Sequence, residues 1–128
     1  MDRLLGIALE ARENAHAPFS NFRVGAALED ESGRIHTGCN IENATYGLTL
    51  CAERVAVFKA VSEGVRKFAR IAIAADTENL TPPCGACRQI LWEFCGNIEV
   101  ALVNPRGKTE SLRLKDLLPR PFDAGFLR

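Results

Sequence analysis

The sequence predicts an α/β fold, a three-layer α-β-α sandwich around a central mixed sheet of five strands. Apolar residues follow helical spacing in some segments and form strand-like runs in others, in the order helix, two strands, helix, strand, helix, strand, strand, helix. Strands that alternate with helices after an initial hairpin need crossover connections, which place helices on both faces of the sheet. Because no repeat or linker divides the chain, we expect one domain over residues 1–128.

The first elements are a helix and a hairpin. Apolar residues three and four apart in residues 2–15 predict an amphipathic helix that ends before Pro18. Two short extended runs follow at 23–29 and 34–40, and the Asp-Glu-Ser-Gly segment at 30–33 is typical of a turn. The two runs are therefore expected to pair as a β-hairpin.

Helices and strands alternate in the rest of the chain. Helical spacing over 51–63 ends at Gly64, and the continuous apolar run at 68–75 is typical of a strand buried on both faces. Another helix begins at Cys84 and stops at Gly96. The last predicted elements are strands at 98–103 and 108–113 and a short helix at 114–118.

Composition restricts the class of function. With 128 residues, 47% hydrophobic and 25% charged, the chain fits a soluble globular protein whose core needs no disulfides. Sixteen basic residues balance sixteen acidic ones, so there is no basic field for binding a phosphate backbone. The apolar runs are far shorter than the roughly 20 residues of a membrane-spanning helix, and the amino end does not resemble a secretory signal. We expect a cytoplasmic protein that binds neither nucleic acid nor membrane.

Cysteines give the main chemical signal. The chain has five cysteines. An odd number of cysteines in a chain expected to be cytoplasmic does not predict disulfides. Cys84 and Cys87 lie one turn apart at the start of a predicted helix, and Cys51 opens another, where the helix dipole favours thiolates. Three thiolates could hold one zinc ion and leave the fourth tetrahedral position for water, as in catalytic zinc sites.

The spacing alone leaves alternatives open. A Cys-x-x-Cys motif by itself fits zinc binding, redox chemistry or inert burial, and a fourth thiolate from Cys39 or Cys95 would make a closed, structural site. A thioredoxin-like motif would leave Cys51 unexplained. Glu53 favours catalysis, because a carboxylate beside a metal-activated water can shuttle protons, although an acidic residue is also ordinary in the first turn of a helix.

Two motifs resemble the cytidine deaminases of the short-chain, three-cysteine type. They are Cys-Ala-Glu-Arg at 51–54 and Pro-Cys-Gly-Ala-Cys-Arg-Gln at 83–89, and the resemblance extends from about Leu4 to Phe122. It implies zinc-dependent hydrolytic deamination of cytidine and deoxycytidine in pyrimidine salvage, with ammonia released. It also implies one zinc ion per chain, with the ligands Cys51, Cys84 and Cys87.

The resemblance further implies roles for neighbouring residues. Glu53 would transfer protons, and Arg54 would hydrogen-bond the cysteine ligands and offset the charge of about −1 that zinc carries with three thiolates. A nucleoside is favoured over a nucleotide, because Glu42 suits ribose hydroxyls and repels phosphate. The residues implied to contact substrate are Phe22, Asn40, Glu42, Ala52, Tyr46 and Phe122, the last two in a neighbouring subunit's site within a homotetramer.

Rival functions share some of these features. The Asn-x-Glu segment at 40–42 argues against a deaminase of aminonucleoside antibiotics, and the neutral charge argues against a deaminase that edits polynucleotides. A structural zinc module would have four protein ligands and no exchangeable water. Cys39 and Cys95 are interpreted as small buried hydrophobic residues, and His16 and His36 as structural or exposed.

Overall fold

The computed structural model describes residues 2–127, which form a five-stranded sheet with helices on both faces. The α-helices are α1 (Arg3–Arg12), α2 (Ala52–Ser62), α3 (Gly85–Cys95) and α4 (Leu114–Leu117). The strands are β1 (Val24–Asp30), β2 (Ile35–Cys39), β3 (Phe68–Ala75), β4 (Glu99–Val103) and β5 (Thr109–Arg113). Short 3₁₀ helices lie at Tyr46–Leu48 and Ala124–Leu127. The α/β fold class predicted from the sequence is confirmed.

The sheet is mixed because one of its strand pairs is parallel. Its strand order is β2-β1-β3-β4-β5. β1 runs antiparallel to both β2 and β3, and β5 runs antiparallel to β4. Only a crossover can join parallel neighbours, and α3 supplies it between β3 and β4. The hairpin and the crossover that the sequence predicted are both present.

Two apolar clusters fill the space on either side of the sheet. One cluster joins Leu4, Leu5 and Ala8 of α1 to small residues of the strands, such as Ala72. The other, larger cluster joins α2, α3 and α4 to the opposite sheet face. Its fully buried members include Val57, Ile71, Leu91, Val100 and Leu114. The two clusters separate the three layers of the sandwich.

The first helix ends earlier than its apolar pattern predicts. The prediction was residues 2–15, whereas α1 ends at Arg12. The backbone N–H groups of Glu13 and Asn14 bond to carbonyls three residues back, which tightens the chain. The N–H of His16 then donates to the Asn40 carbonyl at 3.0 Å, so the chain pairs with the segment after β2 instead of continuing the helix.

His36 is buried, and its structural role is the one the sequence suggested. It is 4% exposed, and its Nε2 lies 2.9 Å from Oδ2 of the equally buried Asp30. Asp30 also accepts hydrogen bonds from the backbone of Ser32 and Arg34. These contacts hold the turn of the β1–β2 hairpin.

No helix within residues 2–127 has the length and apolar content needed to cross a membrane.

Glycines let helices pack closely on the sheet. A β-carbon at Gly38 in β2 would lie 2.4 Å from the Ala52 carbonyl oxygen and 2.6 Å from the Ala56 nitrogen, both in α2. Gly25 in β1 is equally tight against the backbone of α1. Because the obstructing atoms are backbone, a side chain could fit only if the whole helix moved.

Gly38→Ala is expected to lower the free energy of unfolding by about 3 kcal/mol, the upper end of ordinary overpacking, because α2 must be displaced. Gly6→Ala is the control. Gly6 lies inside α1, and apart from its own stretch of helix nothing in residues 2–127 comes within 4 Å of an added β-carbon, so Gly6→Ala should gain about 0.5–1 kcal/mol. Urea unfolding at equal protein and zinc concentrations measures the free energy of unfolding of both variants. Equal stability of Gly38→Ala and wild type would contradict the close packing of α2.

Candidate active site

Helices α2 and α3 begin at the same edge of the sheet. Val24, at the start of β1, pairs with Ala75 at the end of β3, and Gly25 pairs with Cys39 at the end of β2. β1 therefore starts where β2 and β3 end. Since α2 is the helix after β2 and α3 is the helix after β3, both helices can begin at this edge.

Three cysteine sulfur atoms converge where the two helices begin. Cys51 is the N-cap of α2, Cys84 is the N-cap of α3, and Cys87 lies in the first turn of α3. Their sulfur atoms all lie within 4.8 Å of one another. Cys84 Sγ also accepts a hydrogen bond from the Cys87 backbone N–H at 3.5 Å. Cys87 is buried, Cys51 is half-buried and Cys84 is exposed.

The chemistry of these thiols suits a metal cation. The pKa of Cys51 is lowered to about 5, first by a hydrogen bond from the Cys87 thiol and also by the Arg54 guanidinium. The same shared proton raises the pKa of Cys87. A soft divalent cation would displace that proton, and three thiolates so close together are the ligand set that zinc prefers.

Arg54 lies beside the sulfur cluster, as the sequence predicted. Its Nη2 donates to Cys51 Sγ at 3.3 Å. The hydrogen bond reaches the sulfur of Cys51, whereas the resemblance implied hydrogen bonds to more than one of the cysteine ligands. Its Nε is buried with no hydrogen-bond partner among residues 2–127. The positive charge therefore lies against the thiolates in a partly dry environment, where it offsets their negative charge most strongly.

Glu53 lines a small cleft that ends at the sulfur cluster. The cleft has a volume of about 180 Å³, and Cys51 and Cys84 also form part of its wall. Glu53 is only 5% exposed. Its pKa is raised to about 7, mainly because burial withdraws water from the charged form. The structure thus places a carboxyl group and the sulfur cluster in one cavity.

Three of the predicted substrate contacts also line this cleft: Phe22, Asn40 and Ala52. Asn40 is buried, and its side chain holds the start of β1 in place. Its Oδ1 accepts from the Val24 N–H at 2.9 Å, and its Nδ2 donates to the Phe22 carbonyl at 2.7 Å. Asn40 therefore fixes the backbone that presents the Phe22 ring, which is 37% exposed at the cleft.

Glu42 does not line the cleft of this chain. Its carboxylate accepts hydrogen bonds from the Phe19 and Ser20 backbone N–H groups at 2.9 and 3.1 Å, and from the Ser20 hydroxyl. The Ser20 hydrogen bond and these backbone donors lower the pKa of Glu42. Glu42 is thus charged and holds the loop before Phe22, and its contact with ribose stays a prediction.

Tyr46 and Phe122 also lie outside the cleft of their own chain. Tyr46 is 76% exposed and packs edge to face on Phe19, whereas Phe122 is 56% exposed and stacks on Phe126. The segment around Phe122 is fixed to α3. Gln89 donates to the Phe122 carbonyl, and the Trp92 indole donates to Asp123 at 3.2 Å.

Sequence reasoning missed several cleft residues. Thr49, Leu50, Thr81 and Pro82 line the cavity, as does Ile73 of β3. The first four flank Cys51 and Cys84 in sequence, and that proximity was the available signal. Ile73 gives no local signal, because only the sheet register brings a strand residue to the cleft.

The two remaining cysteines do not belong to the sulfur cluster found among residues 2–127. Each is only partly buried, so the interpretation of both as buried hydrophobic residues was too strong. Cys95 packs at the margin of the larger apolar cluster, and burial raises its pKa to about 12. Its surroundings are those of a small hydrophobic residue.

Comparisons with known proteins point in the same direction as the geometry. Residues 1–102 match the family model described as the cytidine and deoxycytidylate deaminase zinc-binding region. A cytidine deaminase from Sporosarcina psychrophila is 51% identical over 123 residues, covering 95% of this chain and 90% of that protein. One from Halalkalibacterium halodurans is 50% identical, covering 97% and 96%.

Solved structures also resemble this fold. The crystal structure of cytidine deaminase from Burkholderia pseudomallei has a TM-score of 0.91 and 46% identity, and covers 95% of this chain and all of that one. The structure from Mycobacterium tuberculosis has a TM-score of 0.80 and 41% identity, and covers 93% of this chain and 94% of that one.

Replacing one clustered cysteine should release the metal. We expect Cys84→Ala and Cys87→Ala to contain less than about a tenth of the wild-type zinc, because two thiolates alone hold zinc weakly. Cys95→Ala is the matched control and should keep its zinc. Metal analysis after dialysis, with circular dichroism to check folding, measures all three. Zinc loss from folded Cys95→Ala would favour a closed site with four protein ligands.

Proposed function

Because this chain belongs to the cytidine and deoxycytidylate deaminase family, we propose that it hydrolyses cytidine and deoxycytidine to uridine and deoxyuridine, releasing ammonia, in pyrimidine salvage. The observation that carries the proposal is a cluster of three cysteine sulfurs beside a cleft whose wall includes Cys51, Cys84 and the buried Glu53. The sequence-based recognition of the family and of a hydrolytic deaminase is confirmed.

We assign one zinc ion per chain to Cys51, Cys84 and Cys87. Zinc, when bound, supplies an electrophile that lowers the pKa of water and stabilises developing negative charge. Arg54 withdraws electron density from the Cys51 sulfur through its hydrogen bond, and the starts of α2 and α3 act in the same sense. These contacts offset the weaker electrophilicity that three thiolates would otherwise impose.

Glu53 moves the protons of the reaction. Its carboxylate accepts a proton from the attacking water and delivers it to N3 of the pyrimidine as the water oxygen bonds to C4. It then accepts the second proton of that oxygen and delivers it to the amino nitrogen, so the C4–N bond breaks and ammonia leaves. The burial of Glu53 in the cleft wall beside the sulfurs supports this role, since it limits the contact of its carboxyl group with bulk water.

The remaining cleft residues orient the nucleoside. The exposed face of Phe22 can stack on the pyrimidine, and Ala52 leaves room for the ring beside Glu53. Asn40 and Glu42 are proposed to bind the ribose hydroxyls. The charge that Glu42 carries would repel a nucleotide's phosphate, so we propose that nucleosides are the substrates.

We also propose a homotetramer that shares its sites between subunits. Tyr46 and Phe122 are exposed and lie outside the cleft of their own chain, which supports a role at a neighbouring subunit's site. With a neutral net charge and no expected nucleic-acid partner, we propose that the enzyme acts on free nucleosides in the cytoplasm.

Ammonia release from cytidine, deoxycytidine, cytosine and cytidine monophosphate tests the proposed function when zinc content per chain is measured in the same preparation. We expect about one zinc per chain and turnover of the two nucleosides only. Turnover of the monophosphate at a similar rate would contradict the assignment of Glu42. A zinc-loaded protein inactive on all four compounds would favour a structural zinc module.

Glu53→Gln should keep its zinc and its fold but lose nearly all turnover, because an amide of the same size cannot accept and return a proton. Ammonia release, zinc content and thermal stability measure the three properties. A variant that keeps a tenth or more of the wild-type turnover would remove Glu53 from the proton-transfer role.

Removing the charge of Arg54 should weaken catalysis without releasing the metal. We expect Arg54→Gln to lose about tenfold or more in kcat/KM, equivalent to about 1.4 kcal/mol in the barrier. Arg54→Lys should be intermediate, because it keeps the charge without the planar donor group. Kinetics and zinc analysis on both variants measure the effect. Wild-type kinetics in zinc-loaded, folded Arg54→Gln would contradict charge compensation.

A further inference from the structure

Arg88, one residue after Cys87, connects three parts of the chain. Its side chain is partly buried on α3. The Nε donates to the Pro83 carbonyl at 2.7 Å, and Nη1 donates to the Leu117 carbonyl at 2.8 Å. Both donors belong to one rigid, planar guanidinium, so the two carbonyls are held at a fixed separation.

The contact with Pro83 bears on the adjacent Cys84. The Pro83 carbonyl belongs to the peptide plane that contains the Cys84 nitrogen. The next peptide plane contains the Cys84 carbonyl, which accepts from the Arg88 backbone N–H at 2.9 Å. Arg88 therefore binds the carbonyls of both peptide planes that flank Cys84, one through its side chain and one through its backbone. Together these planes set the direction in which the Cys84 side chain leaves the backbone.

Cys84 has few other restraints. It is exposed and follows two prolines that donate no backbone hydrogen bond, and apart from the contacts of Arg88 its sulfur accepts only the long hydrogen bond from the Cys87 N–H at 3.5 Å among residues 2–127. Cys87, by contrast, is buried within the first turn of the helix. Of the three clustered thiols, that of Cys84 thus depends most on backbone contacts for its position.

The contact with Leu117 anchors the guanidinium. Leu117 is the last residue of α4, where carbonyl groups lack helical partners and a cation is favoured. α4 packs on α3, and its Leu114 is fully buried in the larger apolar cluster. An element packed on the core therefore supports the Arg88 guanidinium at its second contact.

We propose that Arg88 is a positioning residue for Cys84, holding its sulfur where the proposed zinc ion requires it and joining the metal centre to the end of α4. This inference rests on the proposed function only in so far as that function assigns zinc to the three cysteines. It predicts that loss of the Arg88 side chain changes the metal coordination itself, an effect that loss of general stability would not produce.

The test compares Arg88→Met, Arg88→Lys and Arg66→Met with wild type. Arg66 is the matched control because its guanidinium also binds two carbonyls, that of Val61 in the last turn of α2 at 2.8 Å and that of Val65 after the helix at 3.0 Å. Zinc release is followed with a colorimetric chelator. The visible spectrum of the cobalt-substituted proteins reports the ligand geometry directly.

Arg88→Met is expected to release zinc about tenfold or more faster than wild type and to show shifted cobalt absorption bands. Arg88→Lys, which keeps the charge but not the two-carbonyl geometry, should be intermediate. Arg66→Met should match wild type in both readouts. If Arg88→Met does not fold, Arg88→Lys decides, because a folded Arg88→Lys with altered cobalt bands supports the positioning role.

The opposite results overturn the inference. If folded Arg88→Met has wild-type cobalt bands and releases zinc within twofold of the wild-type rate, the inference is wrong. If Arg88→Met does not fold, the same result in folded Arg88→Lys overturns the inference. Equally fast zinc release from Arg66→Met would also overturn the inference, since the effect would then be one of general stability. Both readouts work without substrate, so an inactive wild type that binds zinc would refute the proposed function and leave this test intact. A wild type that binds no zinc would overturn both.

Discussion

The convergence of two helix starts on one point of the sheet edge is the constraint on which the candidate site depends. Cys51 and Cys84 occupy the N-cap positions of α2 and α3, and their sulfurs come within 4.8 Å of each other and of Cys87. Backbone N–H groups at helix starts are free to face negative charge. Three thiols can therefore lie close together and still ionise for a metal.

Close packing between helix and sheet makes this convergence possible. Gly38 admits the backbone of α2 to van der Waals contact with β2, next to the Ala52 carbonyl. The crossover between the parallel strands β3 and β4 puts the start of α3 at the same edge. The local chemistry at Cys51 and Cys84 is thus a consequence of sheet topology, and a displaced helix would separate the sulfurs.

Electrostatics and burial give two neighbouring residues of α2 different roles. Glu53 is directed into the apolar cleft, where burial favours its protonated form. Arg54, the next residue, lies against the Cys51 sulfur instead. A helix turns by about 100° per residue, so consecutive residues can face different surroundings. The carboxyl group is thereby available to a substrate while the guanidinium balances the thiolates.

The sequence predicted local features of this arrangement better than long-range ones. Apolar spacing and turn residues predicted the five strands and four α-helices of residues 2–127 to within a few residues, because these signals are local. The positions of Cys51, Cys84 and Cys87 at predicted helix starts suggested a metal cluster, because the helix dipole favours thiolates there. The end of α1 at Arg12 and the place of Ile73 in the cleft were not foreseen, because both depend on contacts with distant segments.

Arg88 illustrates the same limit. In the sequence it is one of several helix arginines, and its spacing gives no sign that it binds the carbonyls of Pro83 and Leu117. The contact with Leu117 exists only because α4 returns to pack on α3. Glu42 belongs to a local motif that the sequence does show. Its hydrogen bonds to Phe19 and Ser20 are not predictable from that motif, because they join segments about 22 residues apart.

The central claim is that three cysteine thiolates hold zinc and leave one position open for water. X-ray absorption at the zinc K-edge of the wild-type protein tests it most directly. We expect three sulfur atoms at about 2.3 Å and one oxygen at about 2.0–2.2 Å from the metal. A shell of four sulfur atoms, or a histidine nitrogen in the fourth position, would mean a closed structural site and would contradict it.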